Sequence, residues 1–478
     1  EDTIELNQTT VKGSPRNADY SLIPKEQKNT FVITQERIRE KNYKNVEDIL
    51  RDAPGVVVQN TAFGPRIDMR GSGEKSLSRV KVLVDGISIN PTEETMASLP
   101  INAIPVETIK KIEIIPGGVA TLYGSGSVGG VVSISTNSNV TRNNFFMDLN
   151  YGSFDNRNFG FAGGYNFNKN LYVNYGFSYL NSEDYREHEE KENKIYLLGV
   201  DYKINSKNRF RFQTRFSDIK QDGTNQILVE ELKNERKKAG LRLDLHTKDK
   251  SYTFDYEYRP TQDLTLTASL YKQEQDRNID TESIDDIKII ASNRKHTWIK
   301  QEMNFYDIKS KMKAKFEEDK KGIKLKAKYD YNLIGDIASE TIIGYDYQTS
   351  TNKRDSFVQS ETLKTYNNGY MDIQLDQADR LPIINRINMR MRKQSHGAYI
   401  FNKWGLTNNF DMTTGFRFEK TKYDGYRENG PNIMPFVKSE IKRIETNREL
   451  DNYSGEVGFL YKYNDTGRVF TRYERGFV

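Results

Sequence analysis

From residue 140 onward the chain is written in a two-residue rhythm. Leu171, Val173, Tyr175, Phe177 and Tyr179 interleave with Tyr172, Asn174, Gly176 and Ser178, and Phe210, Phe212 and Phe216 alternate with Arg209, Arg211, Gln213 and Arg215. The same rhythm returns at Tyr252–Tyr258, Ile323–Tyr329 and Phe410–Phe418, where Asp, Glu, Lys, Arg, Ser and Thr occupy the intervening positions. Successive side chains of a strand point to opposite faces, so each segment reads as a strand with one apolar and one polar face. Such a chain folds as a β-sandwich with its apolar faces inward or as a barrel with its apolar face in lipid.

Three features favour the barrel. The segments run to about ten residues or more, beyond the usual five or six of a globular sheet. Aromatic residues recur near the segment ends, as in the interfacial girdles of membrane barrels. Connections alternate in length: short at Asn168-Lys169-Asn170, Ser206-Lys207-Asn208, Pro260–Asp263 and Asp465-Thr466-Gly467, long and charged at 183–192, 220–238, 276–300, 351–394 and 425–450. Short turns on one side and long loops on the other are outer-membrane topology. The count is about thirteen strands over 140–478. Single-chain bacterial barrels use even numbers, so further strands are expected after Phe477.

Composition agrees. Hydrophobic residues make up 36% of the 478 and mean hydropathy is −0.79. No run approaches the roughly 18 consecutive apolar residues of a membrane helix, which excludes a helical membrane protein but not a barrel. There is no cysteine, hence no disulfide framework, thiolate metal site or catalytic thiol. The 72 Lys+Arg against 67 Asp+Glu are spread in both signs and do not form the basic face that nucleic acid requires. No basic-then-apolar leader opens the sequence, so any export signal is expected to have been removed already or never to have been present.

Residues 25–139 have a different texture, that of a small α+β domain. Thr34 is placed to cap a helix over Gln35–Glu40 and Asn45 one over Val46–Asp52, closed by Ala53-Pro54-Gly55. Val56-Val57-Val58 reads as a buried strand. Val80–Val84, Asp85-Gly86 and Ile87–Asn90 read as strand, type I′ turn and strand. A helical turn at Val106–Thr108 leads into the strand Ile109–Ile115.

Several candidate sites resolve into structure. Gly124-Ser125-Gly126-Ser127-Val128-Gly129 fits G-x-G-x-x-G, with Asp148 at about the expected distance, but a dinucleotide loop must open a helix. Here β-branched Val131, Val132 and Ile134 follow, so a strand is expected and nucleotide binding is rejected. His188, His246, His296 and His396 show no mutual ligand spacing, although the acidic surroundings of His188 and the strand-end position of His396 leave a solvated role and a ligand role open. No Ser/His/Asp set has a nucleophile elbow, so there are no catalytic residues and no metal site, and the chain is read as not an enzyme. Asp2-Thr3-Ile4-Glu5-Leu6 is a short alternating strand on a polar tether that runs through Gly13-Ser14-Pro15, the form suited to strand addition onto a partner sheet.

These pieces occur in an order that resembles the TonB-dependent outer-membrane receptors. Asp2, Thr3, Ile4, Glu5 and Leu6 look like a TonB box. Phe31–Ile38 and Val46–Val56 resemble the opening plug helices and "PGV" turn, Ile67–Gly71 the "IRG" strand, and Val84-Asp85-Gly86 the "DG" hairpin. Ile112–Gly118 resembles "IEVIRGP", with Pro116 where arginine is common, and Leu122–Val132 resembles "LYGxGAxGGVINI". Tyr473–Phe477 is similar to a family strand well inside the barrel, leaving roughly nine strands to follow.

The resemblance implies a transmembrane β-barrel of the roughly 22-stranded type, with about thirteen strands present and a small N-terminal α+β plug in its lumen. The implied domains are a TonB box and linker at 1–24, a plug at 25–139 and a partial barrel at 140–478. It implies active import across the bacterial outer membrane by a monomer in outer-membrane lipid. TonB and its inner-membrane energising complex supply the force. The cargo is a ferric siderophore, the iron chelate being transported substrate and no cofactor permanently bound. A haem or cobalamin receptor of the same fold, or a passive porin or adhesin barrel, stands as the alternative; a plug without histidine argues against haem. Phe63, Arg66 and Thr92, in apical loops at Asn60–Arg66 and Asn90–Ala97, are the expected ligand contacts.

Overall fold

A computed structural model describes residues 30–477 apart from 62, 118, 137–142, 225–228, 239–241, 286–290, 293–302, 368–370, 375–381, 431–432, 435–436, 439 and 465–466. The proposed TonB box, Asp2–Leu6, lies outside the described residues, as does His296.

The first domain forms where its local signals predict. β1 (Phe31–Thr34) runs into α1 (Gln35–Lys41), whose first turn is capped by the Thr34 hydroxyl accepting from Arg37 N at 3.5 Å. The Asn45 side chain accepts from Asp48 N at 2.8 Å to start α2 (Val46–Arg51). β2 (Val56–Thr61) and β3 (Gly64–Met69) make a separate two-stranded hairpin, so Val57 is exposed and not buried as its valine run suggests. After the short α3 (Ser76–Arg79) come β4 (Val80–Val84), β5 (Ile87–Ser88), β6 (Ile109–Pro116), the single-turn α4 (Ala120–Tyr123) and β7 (Gly130–Thr136). Their sheet has the order β1-β6-β7-β4-β5, with only the β4–β7 pair parallel. Val46, Ile49, Leu50, Ile67, Val80, Val82, Ile109, Ile112, Val132 and Ile134 are wholly buried in its core.

The hairpin at Asp85-Gly86 is held twice. Both residues have positive φ, 48° and 82°, as a type I′ turn requires. The Asp85 carboxylate also accepts from the backbone N–H and hydroxyl of Thr136, at 2.8 and 2.7 Å, tying the turn to the end of β7. The strand at Gly130–Thr136 stands where a dinucleotide fold would need a helix.

Thirteen long strands follow: β8 (Asn144–Gly152), β9 (Asn156–Asn166), β10 (Leu171–Glu183), β11 (Glu190–Lys203), β12 (Asn208–Thr224), β13 (Arg242–Tyr258), β14 (Leu264–Asp285), β15 (Met303–Ile334), β16 (Ile337–Asn367), β17 (Pro382–Thr407), β18 (Phe410–Asn429), β19 (Lys442–Lys462) and β20 (Arg468–Arg475). Each pairs antiparallel with the next. The sheet curls around the small domain, which touches strands at both of its ends: Asn42 reaches Asn150 in β8, and Glu474 in β20 accepts from Ala120 N at 2.7 Å.

The faces are inverted relative to a soluble sheet. On β12, Phe212 is 41% exposed and points outward, whereas its neighbour Arg211 is 5% exposed and points inward. The same holds for Tyr196, Leu270, Leu325 and Phe416 outside and Gln213, Lys320, Arg417 and Glu419 inside. A sandwich would bury the first group; only a barrel in lipid exposes it. Tyr165, Phe167, Tyr202, Tyr329 and Tyr463 cluster near the short turns on the outward face, a girdle at one membrane interface.

The wall also rises higher than the sequence suggests. Much of 351–394 and 425–450, which reads as loop, is strand: β16 continues to Asn367, β17 begins at Pro382, and β18 and β19 reach Asn429 and Lys442. β15 alone has 32 residues, against the ~11 that cross a bilayer. Above the membrane the outward face carries charges that pair directly across the ladder, as in Lys313–Asp280 at 3.2 Å, Lys311–Glu282 at 3.1 Å and Lys353–Glu317 at 3.2 Å.

Phe212→Arg places a charge on the lipid face near the middle of the apolar band and should destabilise the folded barrel by about 2–4 kcal/mol. Guanidinium unfolding in lipid vesicles, read by loss of the compact band on unheated gels, measures this; a loss below ~0.5 kcal/mol would mean that this face does not meet lipid.

Candidate ligand and plug-docking site

Two parts of the small domain meet the wall near the ends of strands that lead to the long connections. At the tip of the β2–β3 hairpin, Phe63 packs with Met96 against Leu243 and Leu245 of β13, Ile279 of β14, and Met312, Ala314 and Phe316 of β15. This shelf is one of two apolar patches where plug meets wall; in the other, Leu83, Ile115, Val119, Leu122, Tyr123 and Val131 of the plug pack with Ile342 of β16 and Tyr399 and Phe401 of β17. The Arg277 and Arg354 guanidinium groups lie 4.6 and 5.3 Å from the centre of the Phe316 ring, and Arg277 Nε is buried without an acceptor. The shelf therefore offers apolar surface, an aromatic ring and two cations together.

The sequence carried a signal for this shelf in the phase of its alternation. Low on β13 the apolar residues Tyr252, Phe254 and Tyr256 face out, but higher up Leu243 and Leu245 fall on the inward parity with no bulge between. β15 does the same, with Ile323 and Leu325 outward and Ala314 and Phe316 inward. Above the membrane the apolar residues change sides.

The expected contacts take different positions. Phe63 lies on the shelf. Asn60–Arg66 is a tight hairpin and not an open loop; within it Arg66 donates to the carbonyls of Ala97 and Glu74, each at 3.4 Å, and its buried Nε has no acceptor. Thr92 meets the wall: its hydroxyl donates to Glu318 at 2.7 Å, its N–H lies 3.3 Å from the same carboxylate, and Ser350 Oγ is 2.8 Å away. His246 contacts Asp218 at 2.7 Å and His396 contacts the Tyr345 hydroxyl at 2.8 Å. Among the described residues no group of three or more His, Cys, Asp or Glu is placed to hold a metal.

The seam between plug and wall was not legible in the sequence. Alternate inward residues of β15 grip the segment from Gly86 to Thr92: Glu318 takes Thr92, Lys320 donates to Asn90 O at 2.7 Å, and Lys324 donates to Gly86 O at 2.5 Å. Gln213 of β12 donates to the Thr136 hydroxyl at 2.8 Å, extending the Asp85 contact into the wall. On β18, Arg417 binds Asp346 at 2.9 Å and Glu419 at 3.0 Å beneath the α4 turn. Between these contacts lies a cavity of about 1080 Å³.

On the opposite side of the plug, Glu107 presses onto Gly160 of β9, whose missing side chain makes the room. Its Oε2 is buried with no hydrogen-bond partner. Burial, opposed by a backbone hydrogen bond and reinforced by the Asp148 charge, pushes this carboxyl up to about 7. A raised folded value gives a stability contribution that is complete below pH ~4.5 and lost as pH rises through ~7. Glu107→Gln should therefore remove a pH dependence on the order of 3 kcal/mol across that window. Limited proteolysis of the plug at pH 4.5 and pH 8 reads the difference: the variant should match the parent at the acid end and resist longer at the basic end. Equal decay at both values would mean that this carboxyl ionises freely in the fold.

Comparison with known proteins places this geometry. The family model described as TonB-dependent Receptor Plug Domain matches residues 25–131, and that described as TonB dependent receptor-like, beta-barrel matches residues 116–478. The chain is 32% identical over 161 residues to the Vitamin B12 transporter BtuB of Vibrio vulnificus (strain YJ016), covering 33% of this chain and 25% of that protein. It is 34% identical over 105 residues to the Vitamin B12 transporter BtuB of Photobacterium profundum, covering 22% and 17%. Among solved structures, the unliganded ferric citrate transporter FecA superposes with a TM-score of 0.70 at 17% identity, over 94% of this chain and 62% of that one. The ferric yersiniabactin uptake receptor FyuA from Yersinia pestis gives 0.70 at 16% identity, over 93% and 64%. The matches thus span a quarter or less of these curated relatives and under two thirds of these solved chains. A plug model and a barrel model matched in sequence, over a plug seated within a curled wall, establish that the chain belongs to the TonB-dependent receptors.

Proposed function

We propose that this receptor actively imports a scarce metal chelate across the outer membrane, a ferric siderophore first, with residues 1–24 as TonB box and linker, 25–139 as gate and 140–478 as wall. The observation that carries this reading is the shelf at the mouth. Phe63 and Met96 from the gate meet Phe316 and its two guanidinium neighbours on the wall, so a bound ligand touches both at once. Cations over an aromatic ring suit anionic and aromatic iron chelates. Such a ligand shifts the gate only through contacts that differ between docked and released plug, and Phe63 supplies one.

Asp2, Thr3, Ile4, Glu5 and Leu6 are the segment through which TonB would pull, by strand addition from the periplasmic side. Phe63, Arg66 and Thr92 keep separate roles: Phe63 touches cargo, Arg66 fixes the hairpin against Ala97, and Thr92 reports through Glu318 whether the gate is seated. The ligand is transported substrate, the protein acts as a monomer in outer-membrane lipid, and no catalytic step is assigned. Sequence similarity to proteins named Vitamin B12 transporters favours cobalamin as the second reading.

Deleting Asp2–Leu6 from the intact receptor should abolish radio-iron uptake into cells while leaving surface binding of the ferric chelate in place; uptake that survives the deletion sinks the energised-import reading. Visible absorption of purified receptor mixed with ferric siderophores, haem or cobalamin separates the cargoes. Capture of an iron chelate is expected, and capture of cobalamin alone would replace it.

A further inference from the structure

The cavity between plug and wall extends from Asn90, Thr92 and Tyr423 on the mouth side to Glu257, Arg259 and Asp330 beside the short turns. Its volume of about 1080 Å³ lies just above the range of about 300–1,000 Å³ usual for small-molecule sites. Nine lysines and arginines line it against six carboxylates. Most of those carboxylates are already engaged. Asp346 and Glu419 hold Arg417, Asp330 and Glu340 hold Lys328 at 3.3 and 2.7 Å, and Glu257 holds Arg259 at 2.9 Å. Glu94 is exposed on the apical loop.

Two half-buried ammonium groups stand apart from these pairs. Lys81, on β4 of the plug, donates to the Tyr123 carbonyl, and Lys324, on β15 of the wall, donates to the Gly86 carbonyl at 2.5 Å. Among the described residues neither has a carboxylate within ion-pair distance. Each ammonium carries three donors, so each has hydrogens to spare. Lys81 feels the negative charges of Glu419 and Asp346 and the positive charges of Arg417 and Lys324, and Lys324 feels Asp346 and Asp255 together with Arg417. The plug backbone is brought close to this cluster at Gly124, where a Cβ would stand 2.8 Å from Glu419 Oε2 and 2.9 Å from Arg417 Nη2.

We infer that Lys81 and Lys324 form an inner oxyanion station in this cavity, which takes a carboxylate or phosphate group of the cargo after it leaves the mouth. The assignment to cargo rests on the import reading above; the anion chemistry rests on the cavity itself. A cation held in a poorly solvated cavity with only carbonyl partners gains from an incoming anion far more than a surface lysine does. Burial pushes the Lys81 ammonium down to about 7 against the pull of Glu419 and Asp346. One lysine travels with the plug and the other stays with the wall, so the station is complete only while the plug is docked. Displacing the plug separates the pair and frees the anion.

Isothermal titration of the intact receptor in detergent micelles with citrate, and separately with inorganic phosphate, tests this. Saturable binding of at least one probe is expected, and the stronger arm identifies a carboxylate or a phosphate preference. Lys81→Met and Lys324→Met should each weaken that binding about tenfold or more. Lys324→Arg, which keeps the charge, and Lys220→Met, on the outer face, should leave it in place. The compact band on unheated gels checks that each variant is folded. Binding of neither probe, or binding by folded Lys324→Met equal to the parent, overturns the station. Receptor lacking Asp2–Leu6 should still bind the probe, so a failure of energised import is read separately from a failure of the station.

Discussion

Lys320 and Lys324 of the wall reach the carbonyls of Asn90 and Gly86 in the plug, and Glu318 takes the hydroxyl of Thr92. The rest of the structure depends on contacts of this kind. A barrel in lipid must turn its apolar face outward, which leaves its charged and polar faces in the lumen. Those groups need partners once water is excluded, because a buried polar group left alone is costly. The plug supplies backbone carbonyls, N–H groups and hydroxyls in their place. Its main apolar core, built on Ile112, Val132 and their neighbours, is closed within the domain, while Leu122, Val131 and their neighbours pack onto Ile342, Tyr399 and Phe401 of the wall.

That division makes the gate separable. The plug is stabilised internally by hydrophobic burial and externally by hydrogen bonds and ion pairs, each worth only about 0.5–3 kcal/mol net, together with two small apolar contacts with the wall. Force applied to the plug can undo the second set without dissolving the first. The inhomogeneities along the seam are then the informative places: the apolar shelf at Phe63, the under-partnered carboxyl of Glu107 over Gly160, and the two lysines facing the cavity. Each departs from the rule that a buried group is matched by its neighbour.

Local chemistry was legible without coordinates. Thr34 and Asn45 cap the helices they were expected to cap, the turn at Asp85-Gly86 has the predicted conformation, and the glycine-rich stretch enters a strand. Thirteen strands were countable from alternation alone. Extended charged segments misled the reading, because opposite charges facing each other across a ladder look in sequence like solvated loop. Val57 misled it too, since a two-stranded hairpin cannot bury both faces. Of the site, the sequence points to Phe63, Arg66 and Thr92 as apical contacts, but not to Leu243, Leu245 or Phe316. Their inward parity has meaning only once the height at which the membrane ends is known.

By itself the sequence determined periodicity, turn chemistry, caps and domain order, because these depend on residues a few positions apart. Tertiary structure alone decided which residues meet across the lumen. Lys81 and Lys324 are separated by half of the plug and half of the wall, and Glu107 meets Gly160 from another domain. Such pairings follow from sheet register and the seating of the plug, which are set by burial summed over the whole fold and leave no periodic mark at the positions they join.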